Sequence, residues 1–495
     1  MAVILTQAQG TFAGHSNTVG RKKKTIAPEL LQNVEITGAS SEGKAVTRIE
    51  GMVVFVTGAV PGDVVDLQVT SVKRRHAEAV VKHIHRASPD RVQPFCQHFG
   101  VCGGCKWQHL AYAKQLEYKR QQVIDNLERL GGLELPEVWP TLASPEITYY
   151  RNKLEFTGSA SRWFTSEELG SLGEINDRDA LGFHIPGRFD KVLDIVQCHL
   201  QPDPSNAIRL WVRLHAAEHH LSFYNVREHV GFIRNLTIRN TLSGEWMVLV
   251  ALGHEDVTAR ERLLQGLKEA FPQITSLLWT INPKKNDTIW DLDIHTFHGS
   301  EHVIEELPPG SDRTPLKFRI GPKTFFQTNP VQTVNMFSLT REWSEIGADD
   351  LVYDLYCGVG SISLFVAPLA NKVVGAEIVP EAIDEAWRNA ELNGINNVHF
   401  EAGDLKDLLN ASFIERNGRP DVLITDPPRS GMHEDVVRRI LEMAPKRIVY
   451  VSCNPATQAR DLAWMKDAYA ITRVQPVDMF PHTYHVENVV RLERR

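Results

Sequence analysis

From about residue 321 onward, apolar runs of strand length alternate with helix-length segments, and that alternation restricts the fold more tightly than any other feature of the chain. Alternation of this kind builds a parallel sheet wound with helices. The runs Leu351-Val352-Tyr353-Asp354-Leu355, Lys372-Val373-Val374-Gly375-Ala376-Glu377, Asp421-Val422-Leu423-Ile424-Thr425 and Arg447-Ile448-Val449-Tyr450-Val451-Ser452 are almost continuously apolar, as strands covered on both faces must be. Ligands of such sheets bind at the carboxyl ends of the strands. The candidate site therefore lies just past those ends, at the loop Tyr356-Cys357-Gly358-Val359-Gly360-Ser361, at Glu377, at Asp404, at Asp426-Pro427-Pro428-Arg429 and at Cys453-Asn454-Pro455. Asn329-Pro330 opens the first helix of the region as an N-cap followed by proline in the first turn.

A glycine loop between strand and helix lets a nucleotide-like ligand approach the backbone, and an acid ending the next strand accepts hydrogen bonds from ribose hydroxyls. The loop lacks the third glycine of the dinucleotide fingerprint, which points away from NAD and toward S-adenosylmethionine. Cys453 is a candidate nucleophile, the plainer alternative being a small thiol that closes a buried strand. Glu487, just ahead of the final run Val489-Val490-Arg491-Leu492, is a candidate general base, the alternative being an ordinary surface glutamate. Together they make one chemistry available. The unactivated C5 of uracil is methylated only after a nucleophile adds at C6, and a base must then remove the C5 proton so that the enzyme can leave.

A second constellation is Cys96-x5-Cys102-x2-Cys105, with Cys198 far downstream. Three local thiols and one remote one suit an iron-sulfur cluster; zinc is the rival, although structural zinc usually takes its cysteines as two close pairs. Such a cluster would tie a loop to a distant segment without implying redox chemistry. The chain has six cysteines, no apolar run of membrane-spanning length and no basic segment ahead of Ala2-Val3-Ile4-Leu5. A cytoplasmic location with reduced thiols is expected, without a membrane or DNA partner and as a monomer.

With 495 residues, about three domains are expected, as a multidomain chain: a small all-β barrel, an α/β central domain and an α/β Rossmann-like domain. Residues 1–28 look like a flexible basic arm carrying Arg21-Lys22-Lys23-Lys24. Residues 29–88 alternate as five short strands, an oligonucleotide-binding type of barrel with Lys73-Arg74-Arg75-His76 on a hairpin tip. The net charge is -7, yet the first 90 residues hold an excess of Lys and Arg, a distribution that attracts phosphate. Residues 89–320 form the central domain, with a helix expected over 112 to 130, a strand pair joined through Ser243-Gly244 and a helix over 258 to 270. Residues 321–495 form the Rossmann-like domain.

These residues resemble the S-adenosylmethionine-dependent RNA uracil-C5 methyltransferases, specifically the iron-sulfur branch acting on 23S ribosomal RNA, over nearly the whole chain. Ser452-Cys453-Asn454-Pro455 is similar to that family's nucleophile motif, and Pro481-His482-Thr483-x-His485-Val486-Glu487 to the segment carrying its base. Phe326-Gln327-Thr328-Asn329 is similar to the segment whose Gln contacts the methyl donor. The resemblance implies a TRAM domain at 29–88, [4Fe-4S] ligands at Cys96, Cys102, Cys105 and Cys198, and donor contacts at Gln327, Tyr356, Ser361, Glu377, Asp404 and Asp426. Tyr356 and Ser361 depart from the Phe and Asn more usual in the family. It also implies transfer of methyl to C5 of a uridine in 23S ribosomal RNA, because the transfer-RNA branch lacks the cysteine set. A uridine in transfer RNA, an exocyclic amine positioned by Asp426-Pro427-Pro428, and a cluster-bearing RNA-binding or redox-sensing protein without turnover are the rival functions.

Overall fold

The computed structural model describes residues 30–40, 42–171, 177–308 and 314–495. The expected basic arm at residues 1–28 lies outside the described residues. Among those described, no helix is long and apolar enough to cross a membrane.

The front of the chain forms a six-stranded sheet from Leu30–Glu35, Gly38–Ala39, Ala45–Ile49, Met52–Thr57, Val64–Val72 and His76–Arg86. Alternation sets its inward face, on which Val54, Val56, Val65, Leu67, Val69, Ala77 and Ala79 share one core. Sequence alone predicts five strands. The first run splits because Ile36 N donates to Asp63 O (2.9 Å) while Thr37 N donates to Val46 O (3.0 Å), so the chain changes neighbours within two residues. Lys73, Arg74 and Arg75 stand exposed in the turn between the last two strands, where the pattern puts them.

An eight-stranded sheet follows. Its centre is the antiparallel pair Ile233–Asn240 and Trp246–Leu252, with Ile238 opposite Val248, and the helices Ser205–Glu218 and Val257–Ala270 pack on it. The hairpin of Val303–Leu307 and Leu316–Ile320 turns the other way. Its Val303, Leu307, Phe318 and Ile320 join Met336 and Phe365 in the core under the last sheet.

That last sheet runs in the order Val398–Ala402, Lys372–Glu377, Leu351–Leu355, Val422–Thr425, Arg447–Ser452, Glu487–Arg494, Tyr469–Val477. Its first five strands are parallel, and Glu487–Arg494 runs antiparallel to its neighbours on both sides. The order reverses between Leu351–Leu355 and Val422–Thr425, which opens a crevice at their carboxyl ends. The outer edge of Tyr469–Val477 is covered by bridges from Val138 and Leu142. Helix Tyr112–Asp125, which follows the cysteine loop in the chain, packs on this sheet through Val123.

Candidate active site

The glycine loop is shaped by backbone geometry. Tyr356 has φ +63° and its N–H donates to Ala376 O (2.8 Å), while Gly358 and Gly360 also take positive φ. Non-glycine residues seldom hold such a conformation. A Cβ on Gly360 would lie 2.9 Å from the Phe400 ring, so only glycine fits where the loop enters helix Ser361–Val366. Glu377 closes the neighbouring strand and reaches back. One of its carboxylate oxygens accepts from Gly358 N (3.2 Å), the other from Ile378 N (2.8 Å) and Val379 N (3.1 Å). Asp404 caps the short helix Leu405–Leu408 and pairs with Lys406 Nζ at 2.9 Å, which holds its carboxyl below the usual range. The Gln327 backbone is held by Asn152, whose Nδ2 donates to its carbonyl (3.2 Å). Its side chain makes no hydrogen bond with another described residue.

Cys453 stands between the end of strand Arg447–Ser452 and helix Pro455–Met465. Asn454 caps that helix by accepting from Ala456 N (3.1 Å), and its Nδ2 donates to Arg429 O (2.9 Å). The cysteine loop is thereby tied to the Asp426-Pro427-Pro428-Arg429 loop on the adjacent strand. Ser452 pairs with Asn488 across the antiparallel ladder, so the next step brings Cys453 beside Glu487. Glu487 is only 4 % exposed.

The closeness has electrostatic consequences. Burial, and then the Glu487 and Asp426 carboxyls, push the Cys453 thiol up to about 12, with Arg429 acting against them. Burial and Asp426 push Glu487 up to about 8, again opposed by Arg429. Burial and Asp354 push Asp426 up to about 7. Asp354 lies wholly inside its strand, accepts from Ser363 Oγ at 2.6 Å and is itself raised to about 7. The Asp426 and Glu487 carboxyls thus oppose ionisation of the buried thiol, Asp426 opposes that of Glu487, and Asp354 that of Asp426. Such clustering of perturbed groups makes this the candidate site of chemistry. His482 and His485 are both lowered to about 4, chiefly by burial, and stand neutral beside it.

Cys453, Glu487 and Asp426 therefore come together, as do Tyr356, Glu377 and Asp404 at adjacent strand ends. Arg429, named in the sequence only as the end of the Asp426-Pro427-Pro428-Arg429 loop and given no role there, is a cation acting on both the thiol and Glu487. The sequence also assigned nothing to Asp354, whose only mark is an acid inside an apolar run.

The second constellation also converges. Cys96, Cys102, Cys105 and Cys198 line one cavity of about 310 Å³ together with His98 and Arg151. Burial raises Cys105 to about 11 and Cys198 to about 12; Cys102 and Cys96 add to the first shift, and Cys105, Cys102 and Cys96 to the second. Among the described residues no three Cys, His, Asp or Glu side chains close on a single ion-sized point.

Comparison with known proteins bears on this arrangement. The family model described as tRNA (Uracil-5-)-methyltransferase matches residues 296–495, and that of the TRAM domain matches residues 31–82. A protein of Bacteroides thetaiotaomicron described as an uncharacterized RNA methyltransferase is 53% identical over 92% of this chain and 100% of its own length. The chain belongs to the S-adenosylmethionine-dependent RNA uracil-5-methyltransferase family. A member from Porphyromonas gingivalis with the same description is 52% identical over 93% of this chain and 99% of its own. Among solved structures, Pyrococcus abyssi tRNA (uracil-54, C5)-methyltransferase in complex with S-adenosyl-L-homocysteine aligns with a TM-score of 0.70 and 28% identity, over 93% of this chain and 100% of that one. Like other uracil-5-methyltransferases with a TRAM domain, this enzyme uses S-adenosylmethionine and acts on RNA.

Proposed function

We propose that this uracil-5-methyltransferase acts on a uridine of 23S ribosomal RNA through a covalent bond between Cys453 Sγ and C6 of the base. The observation that carries the chemistry is the meeting of Cys453, Glu487 and Asp426 at one end of the sheet. The thiolate adds at C6, C5 attacks the methyl sulfonium, and the Glu487 carboxylate removes the C5 proton so that sulfur is expelled. Methylation of an exocyclic amine by Asp426-Pro427-Pro428 would need no thiol beside the aspartate, so the neighbourhood favours carbon. Gln327, Tyr356, Ser361, Glu377, Asp404 and Asp426 hold the methyl donor in this reading. The target base must leave its stack to reach the buried pair, while the TRAM sheet and its basic hairpin grip neighbouring RNA.

Cys96, Cys102, Cys105 and Cys198 are proposed to hold a [4Fe-4S] cluster. One feature supports it: three thiols close in the chain and one remote thiol line the same cavity. When bound, the cluster supplies four bonds that tie the 96–105 loop to the segment at Cys198. The cysteine set is also what favours ribosomal RNA. A second reading, a uridine in transfer RNA, is favoured by the likeness to the Pyrococcus abyssi enzyme.

Mapping 5-methyluridine in ribosomal and transfer RNA from cells lacking the protein tests the target. Loss at one position of 23S RNA is expected; loss only in transfer RNA selects the second reading. Cys453→Ala is expected to abolish methylation of purified RNA while donor binding, followed by calorimetry, survives.

A further inference from the structure

Helix Tyr112–Asp125 buries an unusual face. Its inward residues are Gln115, Lys119 and Val123, and the first two are fully enclosed. An amide and a lysine at this depth are costly unless every polar atom finds a partner. Most of the partners lie on the segment that leads from strand Tyr469–Val477 to Glu487. Lys119 Nζ donates to Asp478 Oδ1 (2.6 Å) and to Phe480 O (3.1 Å), and Tyr112 OH donates to Asp478 Oδ2 (2.9 Å). Gln115 Oε1 accepts from His482 N (2.9 Å), while its Nε2 lies 3.2 Å from His482 Nδ1 and donates to the Trp107 and Leu110 carbonyls. The His482 carbonyl accepts from both Lys106 N (2.8 Å) and Trp107 N (3.0 Å). His482 has φ +64°, a conformation these bonds hold in place. Five residues later the chain reaches Glu487.

We propose that Gln115 and Lys119 are positioning residues of the methylation reaction: they fix residues 478–482 so that the Glu487 carboxylate is aimed at C5 of the bound uracil. The inference rests on the reading of Glu487 as the base. The step it governs is the last one. The C5–H bond breaks and its proton passes to Glu487; its electron pair forms the C5–C6 double bond; the C6–S bond breaks and Cys453 leaves as thiolate. A misaimed base leaves the earlier steps intact and strands methylated RNA on the enzyme.

The test uses the full-length protein, labelled S-adenosylmethionine and total RNA from cells lacking it. Gln115→Met removes the bonds at similar volume. It is expected to lower kcat by about tenfold or more, leave KM for S-adenosylmethionine within about twofold, and raise the fraction of protein carrying methylated RNA on a denaturing gel. Gln115→Glu, which keeps the acceptor for His482 N, should restore turnover in part. Turnover of Gln115→Met at the wild-type rate, or loss of activity without the adduct, overturns the proposal. Should Gln115→Met fail to fold, the double variant Lys119→Met, Asp478→Leu replaces the buried pair with apolar groups and is read in the same way. Glu487→Gln separates the two ideas. If it accumulates the methylated adduct and the helix variants do not, the base stands and the positioning role falls; if it accumulates none, the reading of Glu487 itself fails.

Discussion

Glu487 carries the sharpest conflict between folding and chemistry. Its carboxyl is raised from an ordinary 4.5 to about 8, first by burial and then by Asp426. At neutral pH most of it is protonated, and the proton-accepting form fills as pH rises through that value. We expect the decay rate of the methylated adduct, the step that needs the Glu487 carboxylate, to climb with a slope of about one log unit per pH unit between roughly pH 6 and 8, measured with labelled donor. A flat profile over that range removes Glu487 from the role of base. Stability follows the opposite course. The folded state holds this proton more tightly than the unfolded chain does, so its contribution is complete below 4.5 and is lost as pH rises through 8. Glu487→Gln should therefore end turnover yet raise the melting temperature by about 2–4 °C at pH 8, with no gain at pH 4.5.

At the scale of elements, the glycine loop is the part most sensitive to a single carbon. Gly360→Ala meets both a φ of +77° and the Phe400 ring, and should cost about 1–3 kcal/mol of stability together with at least about tenfold in donor affinity. Thermal unfolding and calorimetry read the two separately. The strand ends at Leu355, Glu377, Thr425 and Ser452 were legible because each apolar run stops at a glycine, an acid or a thiol. Convergence of Cys453 with Glu487 was legible only as chemistry, since the antiparallel return that makes them neighbours follows no local pattern. The eight-stranded sheet stayed largely hidden. Members such as Arg162–Trp163 and Val192–Leu193 have two residues and leave no periodicity to find. Helix Tyr112–Asp125 was visible, but its inward face of Gln115, Lys119 and Val123 could not announce which sheet it covers.

Across the whole molecule, Trp107 is where three parts meet. Its amide donates to His482 O, its indole Nε1 donates to Gly43 O at 3.1 Å, and its ring packs on Tyr118. A Cβ on Gly43 would come within 2.8 Å of the Tyr484 ring, so the TRAM sheet touches the segment that carries Glu487. In the proposed reading, RNA gripped by the sheet would thereby be registered against the crevice that holds Cys453 and Glu487. Charge reversal at the hairpin tip, Arg74→Glu with Arg75→Glu, should weaken RNA binding and reduce the slope of log affinity against log salt by about two, leaving donor binding unchanged. Filter binding at several salt concentrations measures it. An unchanged slope would place the RNA elsewhere. The pairing of Lys119 with Asp478 spans 359 residues. Contacts so distant along the chain form slowly, because a long loop must close before they reward it. During synthesis the lysine leaves the ribosome long before its aspartate exists, and so the helix must wait in water. That bond can form only after residue 478 has been translated.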